Sequence, residues 1–205
     1  MVTARQVALA AAVLVAVPAA AKPAAERARK QQAYFTDTEL LTQDGNPVRF
    51  FTDVLRDQVV VIHFLFTHCA EACPLLTQKL VQARAKLGNA LGHGVRFVSI
   101  SVDPARDGPA ELRRFARRQG AEHPGWTFLT GEKARVDLVR RKLGELSNSP
   151  ADHSTAFIAG NTRTGHWTRL RPDAPPELIA EEVQRLLAES GVASFQQLPA
   201  ANRAP

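Results

Sequence analysis

Residues 59–80, VVVIHFLFTHCAEACPLLTQKL, have the pattern of a strand, a tight loop and a helix, and this stretch decides the fold. The near-continuous apolar run at residues 59–66, rich in β-branched side chains, indicates a strand buried on both faces. Beyond Cys73 the apolar residues take helical spacing. Pro74 has no N–H to donate and is tolerated only in the first turn of a helix, so we expect the helix to begin between residues 70 and 73.

Strands and helices alternate along the rest of the chain. We expect a hairpin around the Asp-Gly turn at 44–45, strands at 95–102, 126–129, 155–159 and 166–170, and helices at 109–120, 132–143 and 175–190. This order predicts an α/β fold with a central mixed sheet flanked by helices and an N-terminal β-hairpin. Cysteines just past the carboxyl end of a central strand lie where open α/β sheets place their ligands, which predicts a thioredoxin-like architecture.

The two ends of the chain are expected to lie outside this fold. Eleven apolar residues at 7–17, followed by an A-x-A site, are typical of a signal peptide and fall short of the roughly 20 residues that span a bilayer. We therefore expect a signal peptide at 1–21, a flexible lead-in at 22–33, the folded domain at 34–190 and a weakly ordered tail at 191–205. The leader predicts export, most simply to a bacterial periplasm, with membrane association as the alternative if the leader is retained.

The chain carries a formal net charge of +6, and its basic residues are dense between Arg106 and Lys142. We interpret them as solvated helix faces, with an acidic protein or anionic lipid as the alternative partner. A nucleic-acid partner is not expected, because the leader predicts export and the basic residues are not interleaved with aromatic ones.

Cys69 and Cys73 are the only cysteines in the sequence, and three residues separate them. Thiols this close to the start of a helix do redox chemistry, bind a soft metal, or do both, and the helix N-terminus is expected to lower their pKa. In an oxidising compartment they tend to form a disulfide, although a bridge that closes so short a loop would stabilise the fold little. The C-x-x-x-C spacing also allows both thiolates to hold one ion, which suits Cu(I) better than zinc because zinc seeks four ligands.

A third metal ligand would have to be one of the six histidines. His63 lies inside the buried strand and is interpreted as a core histidine or as one that supports the site. His68 adjoins Cys69 and could contribute to the site. His153 is the main candidate, because in a thioredoxin-like fold the loop before the strand at 155–159 faces the cysteine helix.

Three motifs in their order along the chain resemble those of the Sco/SenC family. They are Thr67-His68-Cys69 with Cys73-Pro74, then SVDPARD at 101–107, then Asp152-His153-Ser154. The resemblance covers roughly residues 35–190 and implies a thioredoxin-like fold, copper binding by Cys69, Cys73 and His153, and a periplasmic or membrane-facing location. It also implies a role in assembling the dinuclear copper centre of cytochrome c oxidase. The expected partner is the copper-bearing subunit of that oxidase or another periplasmic copper protein. The protein itself is expected to be a monomer.

Other functions remain open at this stage. A thiol–disulfide oxidoreductase that reduces client cysteines would need Cys69 and Cys73 but not His153. A Cys–His hydrolase using Cys69, His153 and Asp152 is disfavoured, because adjacent Asp and His residues in one loop rarely orient as base and partner. Asp103 and Asp107 follow a central strand, and we expect them to cap the next helix.

Overall fold

A computed structural model of the chain describes residues 21–190. The strands are β1 (Glu39–Thr42), β2 (Pro47–Arg49), β3 (Val59–Leu65), β4 (Val95–Ser101), β5 (Trp126–Thr130), β6 (Phe157–Asn161) and β7 (His166–Leu170). The α-helices are α1 (Ala21–Phe35), α2 (Ala72–Leu87), α3 (Pro109–Arg118), α4 (Lys133–Lys142) and α5 (Pro176–Ala188). Shorter helical segments lie at Phe50–Leu55, Gly88–Ala90 and Pro150–Asp152.

All seven strands form one sheet in the order β2-β1-β5-β4-β3-β6-β7. Strand β4 runs parallel to both β3 and β5, whereas the hairpins β1–β2 and β6–β7 and the pairs β1–β5 and β3–β6 are antiparallel. The predicted α/β class, the mixed sheet and the N-terminal hairpin are therefore confirmed.

Two apolar cores cover the two faces of the sheet, because alternate side chains of each strand point to opposite sides. Val61 and Leu65 of β3 face a core that also contains Cys73 and residues of α2, α3 and α5. Ile62 and Phe64 face a second core, to which α1, α4 and the segment Phe50–Leu55 contribute. Strand β3 is buried at every position, as its apolar run predicts.

The structure differs from the expected flexible lead-in at residues 22–33, which belong to helix α1. Phe35 anchors the helix: it is 6% exposed, and its ring centre lies 4.9 Å from that of Trp167. Arg27 Nη1 and Gln31 Nε2 donate hydrogen bonds to the carbonyls of Arg163 and Thr162, at 2.8 and 2.7 Å. The alanine-rich composition favours a helix, and contacts more than 100 residues away in the chain, which local sequence does not reveal, hold it against the sheet.

Two predicted segments lie outside the described residues. They are the signal peptide, apart from Ala21, and the tail at 191–205. Within residues 21–190, no helix combines the length and apolar character needed to cross a membrane.

Candidate metal centre

The two cysteines lie where β3 gives way to α2. Cys69 is in the connecting loop and Cys73 is in the first turn of the helix, as predicted. The Cys73 N–H donates to Cys69 Sγ at 3.3 Å, so the second cysteine orients the first. Both thiols are free; Cys73 is completely buried, whereas Cys69 is partly exposed.

The surroundings shift the pKa values of the two thiols in opposite directions. Partial burial raises the pKa of Cys69, but hydrogen bonds from the Cys73 N–H and thiol, and from the N–H groups of residues 71 and 72, outweigh it and leave that pKa lowered. Burial raises the pKa of Cys73 to about 12, and the adjacent Cys69 adds to the effect. The expected helix-terminus effect therefore holds for Cys69 and is wrong for Cys73, where loss of hydration dominates.

The side chain of His153 lies next to Cys73, although the two residues are 80 positions apart in the sequence. It follows the short helical segment Pro150–Asp152, is 7% exposed, and meets the ring of Phe66 edge-on at 5.7 Å between centres. Its Nδ1 lies 2.7 Å from the carbonyl of Pro150. Because a carbonyl can only accept, Nδ1 carries the proton, and the lone pair of Nε2 is left for another partner.

That free nitrogen faces a sulfur. His153 Nε2 lies 3.9 Å from Cys73 Sγ. A sulfur and a nitrogen bound to one ion at about 2.3 and 2.0 Å, with about 120° between them, are roughly 3.7 Å apart. Among residues 21–190 no three His, Cys, Asp or Glu side chains already form a complete metal-binding group. Cys73 and His153 are thus about as far apart as two donors that share one ion.

The two other histidines near the cysteines point elsewhere. His68 is largely exposed, with Nδ1 3.2 Å from Thr67 Oγ1. His63 is completely buried on β3, and its Nε2 lies 2.7 Å from Ser99 Oγ. Burial lowers the pKa of His63 to about 3, which keeps the ring neutral. His63 is therefore a core histidine, one of the two interpretations drawn from the sequence.

The hydrolase alternative finds no support in these contacts. A Cys–His–Asp arrangement needs the aspartate to orient the histidine ring. The Nδ1 of His153 instead donates to the Pro150 carbonyl, which leaves Asp152 without that role.

Asp107 supports the cysteine loop, a role that the sequence did not reveal. Its carboxylate is completely buried and accepts hydrogen bonds from Thr67 Oγ1 at 2.6 Å, from the Thr67 N–H at 3.2 Å and from Ser101 Oγ at 2.7 Å. The predicted capping role is wrong for both aspartates, because Gly108 is the N-cap of α3 and no side chain caps that helix. Asp107 ties the end of β4 to the residue two positions before Cys69.

We expect Asp107→Ala to lower the free energy of unfolding by about 3 kcal/mol, because it removes the acceptor of three donors, two on the partly buried Thr67 and one on the buried Ser101. Urea unfolding followed by circular dichroism measures the change. Asp103→Ala is the matched control: the side chain of Asp103 makes only a 3.8 Å contact with the exposed Arg106, so its loss should cost less than about 1 kcal/mol. Equal destabilisation by the two substitutions would contradict the role given to Asp107.

Glu145 supports the histidine loop in a similar way. It is 3% exposed and accepts from the N–H groups of Ser147 at 2.8 Å and Ser154 at 2.6 Å, with Arg140 3.7 Å away. Burial raises the pKa of Glu145, but these hydrogen bonds and the charge of Arg140 outweigh it and leave the pKa lowered. Because Ser154 adjoins His153, this carboxylate fixes the position of the loop that carries the candidate ligand.

Comparison with known proteins shows which family the chain resembles. The model of the SCO1/SenC family matches residues 26–188. The SCO1 protein homolog of Bacillus subtilis (strain 168) is 37% identical over 89 residues, which make up 43% of this chain and 45% of that protein. The chain thus matches less than half the length of that relative.

Solved structures with the same fold include proteins of this type. The crystal structure of Arabidopsis thaliana ScoI with copper bound has a TM-score of 0.62 and 24% identity. The matched part makes up 74% of this chain and 96% of that chain. BsSco, described as having a disulfide switch and as a member of the Sco family of cytochrome c oxidase assembly proteins, has a TM-score of 0.61 and 25% identity, and covers 73% of this chain and 91% of its own. These likenesses confirm the predicted thioredoxin-like fold.

Proposed function

The chain belongs to the SCO1/SenC family, and we propose that it holds one Cu(I) ion through Cys69, Cys73 and His153 and passes it to a client in cytochrome c oxidase assembly. Two thiolates and an imidazole form a soft donor set, which favours Cu(I). The expected client is the copper-bearing subunit of the oxidase, whose own thiols would compete for the ion.

The observation that carries this proposal is the contact between Cys73 and His153. The lone pair of Nε2 is available because Nδ1 donates to Pro150, and Nε2 lies 3.9 Å from Cys73 Sγ. Glu145 and Asp107 hold the two loops that meet there. Ligands held by buried hydrogen bonds lose little freedom when they bind an ion, and this favours tight binding.

A thiol–disulfide oxidoreductase is the second candidate, and the difference between the two thiols favours it. Cys69 is partly exposed with a lowered pKa, which suits an attacking thiolate, and Cys73 lies next to it in the place of a resolving thiol. In this alternative Cys69 attacks a disulfide of the client, Cys73 then displaces the client from the mixed disulfide, and the client leaves with two thiols while Cys69 and Cys73 form a disulfide. The two functions are compatible, because a reduced client is also a client that is ready for copper.

We further propose that the protein is exported and acts in the periplasm. The support is the apolar leader at residues 7–17 with its A-x-A site. An exported location suits both candidate functions, because thiols in an oxidising compartment need reduction and the family resemblance implies a periplasmic or membrane-facing location.

We expect the fully reduced protein, titrated with Cu(I) without oxygen against a chromogenic chelator, to retain one equivalent. His153→Ala should weaken binding by on the order of 10- to 100-fold, because two thiolates remain as ligands. His93→Ala is the matched control, since His93 is exposed and the one hydrogen-bond partner of its side chain is the carbonyl of Asn89. Unchanged affinity in His153→Ala would remove the histidine from the site. A folded, reduced wild type that retains no copper would leave the oxidoreductase as the function.

A further inference from the structure

A cavity of about 930 Å³ lies on the face of the sheet opposite to the thiols. It is an open cavity bordered by α1, the C-terminal end of α4 and the strand β7. Its apolar floor includes Phe35, Trp167 and Ile158, with the half-exposed Tyr34 at its side. The copper proposal makes no use of this cavity.

The rim of the cavity is cationic. Among the described residues, those that line it include Arg27, Lys30, Lys142 and Arg169 and no carboxylate. Lys30 forms an exposed ion pair with Glu26, at 2.8 Å. The other three cations have no carboxylate partner within residues 21–190, so all three charges are available to a bound anion.

Contacts with neutral groups hold these three cations in place. Arg27 Nη1 and Arg169 Nη2 each donate to a backbone carbonyl at 2.8 Å, those of Arg163 and Leu143. Lys142 Nζ lies 5.1 Å from the centre of the Tyr34 ring. The positive charges are therefore positioned beside the cavity without a carboxylate to offset them, and a bound anion would be attracted to them.

Two glycines make room for the arginines. A Cβ at Gly144 would approach Arg169 Nη2 to 2.5 Å, and a Cβ at Gly165 would approach Arg27 Cδ to 3.3 Å. The Arg169 guanidinium thus lies across Gly144, and the aliphatic part of the Arg27 side chain lies beside Gly165. A larger residue at position 144 would displace the Arg169 guanidinium from the rim.

The hydrogen bonds at the rim indicate what kind of molecule fits. The carbonyls of Thr162, Arg163 and Leu143 already accept from Gln31, Arg27 and Arg169. An acidic polypeptide would find few acceptors for its N–H groups here. An apolar floor with unpaired cations at its edge instead matches a molecule with an apolar body and one anionic head.

We propose that this cavity binds one anionic amphiphile, a phosphate or carboxylate head on an apolar chain. The head contacts Arg27, Lys142 and Arg169, and the chain lies against Phe35 and Trp167. The volume is within the range of small-molecule sites, which is about 300–1,000 Å³. The proposal is independent of the copper site, because the two sites lie on opposite faces of the sheet.

The test uses dodecyl phosphate as the probe, below its micelle concentration, with calorimetry and tryptophan fluorescence as readouts. Trp167 is the reporter, because the second tryptophan, Trp126, is 1% exposed in the other core. We expect saturable binding of one molecule and a change in Trp167 emission. Arg27→Gln/Lys142→Gln should weaken binding about tenfold or more, and should leave copper stoichiometry unchanged.

Matched probes and a matched variant make the result decisive. Arg113→Gln/Arg114→Gln removes the same charge from α3, away from the cavity, and should leave binding unchanged. Dodecyltrimethylammonium has the same apolar chain with a cationic head, and inorganic phosphate has the anionic group without the chain. Both should bind at least about tenfold more weakly than dodecyl phosphate. Equal binding of the cationic and anionic amphiphiles would overturn the proposal. So would tighter binding of an oligoglutamate peptide, or of phosphatidylglycerol vesicles without binding of the monomeric probe.

Discussion

Replacement of Cys73 by serine is expected to abolish tight Cu(I) binding, with an affinity loss of more than about 100-fold. A hydroxyl is a hard, neutral donor and does not replace a thiolate for a soft ion. Cys73 is central to the site because it contacts both other donors: its Sγ lies 3.9 Å from His153 Nε2, and its N–H donates to Cys69 Sγ. Its loss should therefore cost more than the loss of His153, and Cys69→Ser should have a comparable effect.

The measurement is the same anaerobic competition with a Cu(I) chelator, on protein shown to be folded by circular dichroism. Cys73 is completely buried, so a serine also introduces a hydroxyl into the core and can destabilise it. Cys73→Ala removes the donor without adding a polar group and separates the two effects. If both variants fold and retain copper as tightly as the wild type, the proposed ligand set is wrong.

The central motif could be predicted from the sequence because its determinants are local. The apolar run of β3, the position of Pro74 and the helical spacing after Cys73 fix strand, loop and helix within one short stretch, and α2 indeed begins at Ala72. The turn at Asp44-Gly45 likewise predicts the hairpin β1–β2. Local patterns of this kind do not depend on which distant segment packs against them.

The features that were missed depend on contacts between distant parts of the chain. Helix α1 is held by carbonyls of residues 162 and 163, and Asp107 finds its donors 40 positions away at Thr67. Glu145 is nearer in sequence to its partner Ser154, but the loop between them has no regular pattern that would predict this hydrogen bond. Polar residues at strand ends signal a buried network only once the sheet order is known.

The raised pKa of Cys73 was missed for the same reason. The sequence shows a cysteine in the first turn of a helix, where backbone N–H groups stabilise a thiolate. It does not show that the side chain is covered completely by the core beneath α2. Burial and helix position act in opposite directions, and only the packed structure shows which effect is larger.

The difference in pKa between Cys69 and Cys73 should give a large difference in labelling rate. We expect iodoacetamide to label Cys69 of the copper-free, reduced protein at least about 100-fold faster than Cys73 at pH 8. The pKa of Cys73 is raised to about 12, so only about one molecule in ten thousand carries that thiolate at pH 8. The pKa of Cys69 is lowered from 9.0, which leaves more than about a tenth of it as thiolate. The thiolate of Cys73 is more basic and therefore more nucleophilic, which raises its labelling rate about 20-fold and offsets part of this difference. The complete burial of Cys73 lowers its labelling rate further.

The pH dependence of labelling identifies the cause. As the pH rises, labelling of Cys69 should level off once its lowered pKa is passed, whereas labelling of Cys73 should still rise about tenfold per unit as long as the protein stays folded. Peptide mapping by mass spectrometry after brief exposure to limiting reagent gives both rates in the same molecule. In guanidinium chloride the rates should converge, because burial and the helix terminus are both lost. Equal labelling of the two cysteines in the folded protein would contradict the difference between them and, with it, the assignment of Cys69 as the attacking thiol in the oxidoreductase alternative.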